Sequence, residues 1–200
     1  MNKIKVLLID DDEDDYIITK DVFNRINGAE RYELTWIDTF EKGINSVLKH
    51  QFDIYLVNEA VLSGIKEPII ILTGKGDYKI DEEAMNVGAA DYLIKDRIEP
   101  DTLDRSIRYA LKQSETLKAL KESENKFKII FDKAKEPILI SDYTGKIHDI
   151  NKAGLQFFGY HIKEMLELND RNLFYTQEDR ENFIQELETK GAVSDFECQM

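Results

Sequence analysis

Cysteine is all but missing. Cys198 is the single one in 200 residues, which excludes an internal disulfide and any cysteine-rich zinc site and suits a reducing interior. No apolar run approaches membrane-spanning length. The N-terminus lacks a signal peptide's long apolar segment and small-residue cleavage site. Basic charge is also short: 27 Lys and Arg face 40 Asp and Glu, a net charge of -13. That argues against nucleic acid, whose phosphates need Lys and Arg. What is present, 42% hydrophobic and 34% charged residues, describes a globular chain rather than a disordered one. The length allows one large domain or two ordinary ones, and the expectation is a soluble, cytoplasmic protein with no membrane partner.

The chain is organised around its first apolar run. Ile4, Val6, Leu7, Leu8 and Ile9 form a β-branched stretch too short for a globular helix. Such a run reads as a strand buried on both faces, as in parallel sheets covered by helices. It stops at Asp10-Asp11-Asp12-Glu13-Asp14-Asp15. Ligands of open α/β sheets bind beyond the carboxyl ends of strands. Asp10 and Asp11 therefore stand where two carboxylates can hold a hard cation such as Mg²⁺. Asp14 and Asp15 read as a solvated charge run favoured by the next helix's N-terminal dipole.

Further elements follow in alternation. Tyr16, Ile17, Ile18, Val22, Phe23 and Ile26 recur at helical spacing, closed by Asn27-Gly28. Tyr32 to Ile37 reads as a second strand, Phe40 to Leu48 as a short amphipathic helix, and Ile54 to Val57 as a third strand. Pro68 to Thr73 is the fourth strand, with proline at its first position, where no ladder donor is lost. A turn at Gly74 to Gly76 and a helix over Ile80 to Val87, capped by Gly88, lead to a fifth strand at Ala90 to Lys95. Alternating strands and helices specify a doubly wound α/β domain with a five-stranded parallel sheet. Such a sheet sets all its strand tips on one edge. Asp10, Asp11, Asn58, Thr73 and Lys95 should therefore converge. Carboxylates for a cation, a hydroxyl and an ammonium are what a Mg²⁺-assisted phosphoryl site requires.

The segments LLIDDD, FDIYLVN, PIIILTG and GAADYLIK give residues 1–112 a resemblance to the receiver domain of two-component response regulators. The resemblance implies Mg²⁺ at Asp10 and Asp11, a switch hydroxyl at Thr73, a phosphate-pairing lysine at Lys95 and an aromatic switch at Tyr92. For Tyr92 a half-buried strand tyrosine is the competing reading. It also implies a histidine kinase or phosphotransfer protein as partner. Two positions depart from the family. Asp96 stands where proline usually follows the lysine, and Asn58 stands where the phosphoacceptor aspartate should end the third strand. An amide offers no carboxylate for an acyl phosphate. Asn58 to Glu67 is also too short for a crossover between parallel strands, which usually takes a dozen residues or more. Asn58 to Gly64 reads as the tail of a helix with a glycine stop, so the acceptor loop and the first turns of that helix are expected to be absent from the chain.

Pro100-Asp101 opens a helix. Leu103, Ile107, Ala110, Ser114 and Leu117, then Leu120, Glu124, Phe127 and Phe131, step by three and four. This suggests a long helix with a linker at 113–122 and a weak heptad seam. A parallel homodimer through that seam competes with a solvated amphipathic linker. Beyond it, Pro137 to Ser141 and Lys146 to Ile150 read as a hairpin about Asp142-Tyr143-Thr144-Gly145, Asn151 as a helix cap, and Glu178 to Lys190 as a helix stopped by Gly191. Val193 to Met200 is expected to begin another strand. ENKFKIIFDKAKEPILISDYTGKIHDINKAGLQFFGY resembles the start of a PAS sensory domain, covering about 123–200. The resemblance implies that more strands follow and that the chain is the N-terminal piece of a longer regulator. No cofactor signature accompanies it: the early helix has no flavin-linking cysteine, the later one has no haem histidine, and the PAS ligand stays open. His148 and His161 read as surface or half-buried histidines, and Phe157, Phe158, Phe174 and Phe183 as core.

Three readings compete. One is a phosphorelay signalling module without turnover of its own. The second is a degenerate receiver serving only for docking or dimerisation. The third is a haloacid-dehalogenase-type phosphatase with Asp10 as nucleophile and Asp12 as general acid, which lacks that family's later acid pair and cap.

Overall fold

The computed structural model describes residues 3–47, 49–58, 67–74 and 88–198, with the side chain of Phe40 excepted. Leu48, the segment after Asn58 expected to be a helix tail, and the helix expected over Ile80 to Val87 lie outside the described residues. The chain divides into two compact units, Met1–Leu120 and Lys121–Met200.

In the first unit, β1 (Ile4–Ile9), β2 (Tyr32–Ile37), β3 (Ile54–Val57), β4 (Ile69–Thr73) and β5 (Asp91–Ile94) form a parallel sheet in the order β2-β1-β3-β4-β5. That is the flavodoxin-like winding, whose chain reversal lies between β1 and β3. The register, Ile9 beside Ile37 and Val57, and Thr73 beside Ile94, brings the strand tips level. Successive strand side chains point to opposite faces. Val6, Leu8, Ile54, Leu56, Ile70, Leu72 and Leu93 therefore meet Val22 and Phe23 of α1 (Glu13–Asn24) and Leu103, Ile107 and Ala110 of α3 (Pro100–Lys133). Leu7, Ile9, Tyr55, Val57, Ile69 and Ile71 form the other face with Val47 of α2 (Phe40–Val47).

Two expectations about α1 need correction. It ends at Asn24, and Arg25 rather than Asn27-Gly28 closes it; Gly28, at φ +83°, instead starts a 3₁₀ turn over Ala29–Arg31. Ile17 and Ile18 are exposed, because only the stripe through Thr19, Val22 and Phe23 faces the sheet. A polar hub fastens α3 to the same face. The buried Asp104 carboxylate accepts from Tyr32 Oη at 2.7 Å, from Arg108 Nε at 2.9 Å and from the Arg31 guanidinium. Burial, with the neighbouring carboxylate, pushes the Tyr32 phenol up to about 12.

In the second unit, β6 (Leu139–Ser141) and β7 (Ile147–Ile150) pair antiparallel with a bulge near Ser141. Asp142 and Gly145, the latter at φ +84°, close the turn between them. Helices α4 (Lys152–Phe158), α5 (Ile162–Glu167) and α6 (Gln177–Lys190) follow, with a 3₁₀ turn at Asp170–Leu173. Ile147, Ile150, Met165 and Leu173 form the core, with Phe158 packed against it. Asn151 caps α4 as expected, and Gly191 closes α6. Phe157, expected in the core, is exposed, while Phe174 and Phe183 are half-buried. The strand expected from Val193 is not formed among the described residues. Asp195 takes a left-handed φ of +57°, which breaks any extended run, and Phe196 packs on the Phe183 ring instead.

Candidate functional site

Four elements end together at the carboxyl edge of the five-stranded sheet. Asp10 follows β1 and is buried, because Ile37 O at the end of β2 accepts its backbone N–H and its side chain turns inward. Lys95 follows β5 at the start of a 3₁₀ turn, Lys95–Arg97. Its ammonium lies 2.5 Å from Asp10 Oδ2, with the two side chains 7% and 1% exposed. The other Asp10 oxygen, Oδ1, accepts Asp12 N at 3.2 Å and faces Asn58 Nδ2 at 3.5 Å. Thr73 is buried at the end of β4, in register one residue short of Lys95. Tyr92, half-buried on β5, stands opposite Ile71 of β4 and packs against the α2-side core. Asp10, Asn58 and Lys95 are thus brought together and Thr73 ends the strand alongside. Asp11 is exposed, two residues past the end of β1.

The sequence reading missed two members of this cluster. Asp15, taken for a solvated helix-end acid, is 29% exposed and holds the Lys95 ammonium at 2.5 Å. The signal was available: Asp15, Thr19, Val22 and Phe23 share one helical stripe, so this acid faces inward while Asp14 faces out. The second is Trp36. Its Nε1–H donates to Asp10 O at 2.8 Å, and its ring stacks on Tyr16, centroids 4.4 Å apart. Asp12, the general acid of the phosphatase reading, caps α1 by accepting Asp14 N at 2.8 Å.

Burial pulls the Lys95 ammonium toward neutrality, but hydrogen bonds to Asp10 and then Asp15 outweigh it, and its pKa lies above the ordinary lysine value. It is a fixed cation at neutral pH. The donor set also suits a small hard cation. Asp10 has one oxygen held only by a backbone N–H and a long amide contact, Asp11 adds an exposed carboxylate next to it, and rotation of the Asn58 amide would present its oxygen. Mg²⁺ asks few ligands of the protein and keeps water for the rest. Among the described residues no three His, Cys, Asp or Glu side chains form a metal-ligating group, so the fit rests on those oxygens.

Residues 125–189 match the family model of the PAS domain. A search of curated proteins found no match. Solved structures similar to the N-terminal part of the chain include a CheY-like response regulator receiver domain protein from Methanospirillum hungatei JF-1. It is 21% identical, with a TM-score of 0.46, over 57% of this chain and 98% of that one. A putative response regulator from Chloroflexus aurantiacus J-10-fl is 24% identical, with a TM-score of 0.46, over 56% and 99%. The signal receiver domain of a putative Luxo repressor protein from Vibrio parahaemolyticus is 21% identical, with a TM-score of 0.48, over 59% and 97%. The similarity to these solved structures covers the N-terminal part of the chain, and the match to the PAS family model lies C-terminal to it. Among the described residues no helix is long and apolar enough to cross a membrane.

Proposed function

We propose that this chain is a cytoplasmic signalling module in which a receiver domain, residues 1–112, is linked by α3 to a PAS sensory domain. The observation that carries the proposal is the 2.5 Å pairing of Asp10 with Lys95 at the carboxyl edge of a sheet wound β2-β1-β3-β4-β5, with Asn58 and Thr73 at adjoining strand tips. Asp10 and Asp11 would hold Mg²⁺, which supplies charge neutralisation for phosphoryl oxygens. Lys95 and Thr73 are the cationic and hydroxyl donors for the same oxygens. Tyr92 follows Thr73 as the aromatic member of the switch. The partner is a histidine kinase or phosphotransfer protein, and the module carries out no turnover of its own.

Asn58 limits what the site can accept. Its amide cannot form an acyl phosphate, so in this chain the receiver docks or senses rather than carrying a covalent phosphoryl group. That favours the degenerate reading as the second one, and incubation with acetyl phosphate and Mg²⁺ followed by intact mass measurement tests both. The chain is expected to gain no phosphoryl group, and Asn58→Asp to gain one. A phosphoryl group on the unaltered chain would refute the degenerate reading, and an unlabelled Asn58→Asp that also ignores Mg²⁺ would refute the receiver reading. The exposed Leu117, Leu120 and Phe127 of α3 support a parallel homodimer through that helix, and a monomer by sedimentation at high micromolar concentration would refute it.

A further inference from the structure

The Lys95 ammonium already donates to two carboxylates. Asp10 holds it from the tip of β1 and Asp15 from the first turn of α1, each at 2.5 Å. These two contacts differ in what holds them. Asp10 is almost wholly buried, and its Oδ1 is tied to Asp12 N and Asn58. Asp15 is 29% exposed and sits at the solvent side of the pair, on a side chain that swings out by rotating about its own bonds. An anion arriving from solvent therefore meets Asp15 before it meets the lysine.

We infer that Asp15 is a built-in occupant of the anion position at Lys95, a carboxylate that an incoming phosphate-like dianion must displace. The inference rests on the receiver reading only in taking phosphate as the anion. A carboxylate and a phosphoryl oxygen offer an ammonium the same charge-assisted contact. With Asp15 seated, binding a free anion exchanges one such bond for another and adds repulsion from the displaced acid and from its neighbours Asp11, Asp12 and Asp14. Trp36, the only tryptophan of the chain, donates to the carbonyl of Asp10, the other carboxylate partner of Lys95, so its emission reports a change of charge at this cluster.

The test titrates inorganic phosphate, with and without Mg²⁺, into the whole chain and into Asp15→Asn, Asp15→Ser and Asp15→Glu. Trp36 emission and phosphorus NMR line width are the readouts, and circular dichroism checks the fold. The expected result is phosphate binding on the order of tenfold tighter in Asp15→Asn and Asp15→Ser. Asp15→Glu stays weak, because its carboxylate returns, and Asp15→Asn loses its gain when combined with Lys95→Ala. Equal phosphate affinity in the unaltered chain and in folded Asp15→Asn or Asp15→Ser, no binding in all of them included, overturns the inference. Mg²⁺ binding lost in Asp10→Asn supports the receiver reading independently. Mg²⁺ that binds nothing, alongside tighter phosphate in Asp15→Asn, would refute the cation site and leave the displaced-carboxylate inference standing.

Discussion

Asn151 is fully buried and uses every hydrogen-bonding position of its side chain. Its Oδ1 accepts Ile138 N at 3.0 Å and Gly154 N at 2.8 Å, and its Nδ2 donates to Phe131 O at 3.1 Å and Glu136 O at 2.9 Å. One amide thus joins the end of α3, the approach to β6 and the start of α4. Asn151→Ala removes all four bonds, each worth about 1 kcal/mol net, the α4 cap among them. The loss of about 4 kcal/mol is a large fraction of an ordinary domain's stability of roughly 5–15 kcal/mol. Asn151→Asp keeps the acceptor half and sets a carboxylate oxygen against two carbonyls. Its folded pKa is raised above the ordinary value of about 3.9, so the deficit is greatest at neutral pH and shrinks as pH falls and the group is protonated. The assay is urea unfolding of the whole chain, followed both by far-ultraviolet circular dichroism and by Trp36 emission. The sole tryptophan lies in Met1–Leu120, so its emission follows that unit alone. Asn151→Ala should bring part of the dichroism transition down by roughly 2–4 M urea and leave the Trp36 transition in place. A dichroism profile shifted by less than about 0.5 M urea would refute the network.

Asp104→Asn should lower the Trp36-monitored stability by about 2 kcal/mol, a figure discounted because Arg31 and Arg108 are 41% and 53% exposed. Burial raises the Asp104 carboxyl, but hydrogen bonds from Tyr32, Arg108 and Arg31 outweigh it and hold its pKa below the ordinary value. Its stabilisation is therefore present above the unfolded pKa of about 3.9 and is lost as pH falls through the lower folded one. Urea midpoints of the unaltered chain and Asp104→Asn should converge in strong acid, and a constant gap would count against the hub. Gly43→Ala would place a Cβ 2.6 Å from Ile9 Cδ1 and 2.9 Å from its Cγ2, under a strand that cannot withdraw. Despite the better helix propensity, a net loss of about 1 kcal/mol is expected by urea unfolding, and a gain would show that Ile9 repacks freely.

Periodicity placed the sheet well. β1, β2 and β3 have the bounds their runs suggest; β1 and β3 are interior strands buried along most or all of their length, which leaves them few places to begin or end. The meeting of Asp10 with Lys95 was legible for the same reason: a parallel sheet leaves its tips no other edge. Asp15 was misread because six acidic residues in a run look like a solvated surface, and the helical stripe that singles it out is visible only once the start of α1 is fixed. Ile17 and Ile18 were misplaced by counting apolar residues rather than angles around the helix. The Asp104 hub had no local signal, since its partners Arg31 and Tyr32 stand more than 70 positions earlier. The C-terminal strand failed on one residue, Asp195, whose backbone angle composition does not announce. Asn151 was legible because a cap residue after a hairpin is a local device, although its contacts to the α3 end and the β6 approach were not.

The division of labour along α3 dictates how the protein can be taken apart. Leu103, Ile107 and Ala110 are core, Asp104 is the fastening, and every residue from Glu115 to Ile130 is exposed before Phe131 is buried again. A fragment ending before Leu103 would strip the sheet of its covering layer and leave Tyr32 and Arg31 without their acceptor, Asp104. A cut between Glu115 and Lys126 severs only wetted helix, which makes that span the natural place for a protease to nick, a tag to be inserted, or helical turns to be added or removed in whole steps.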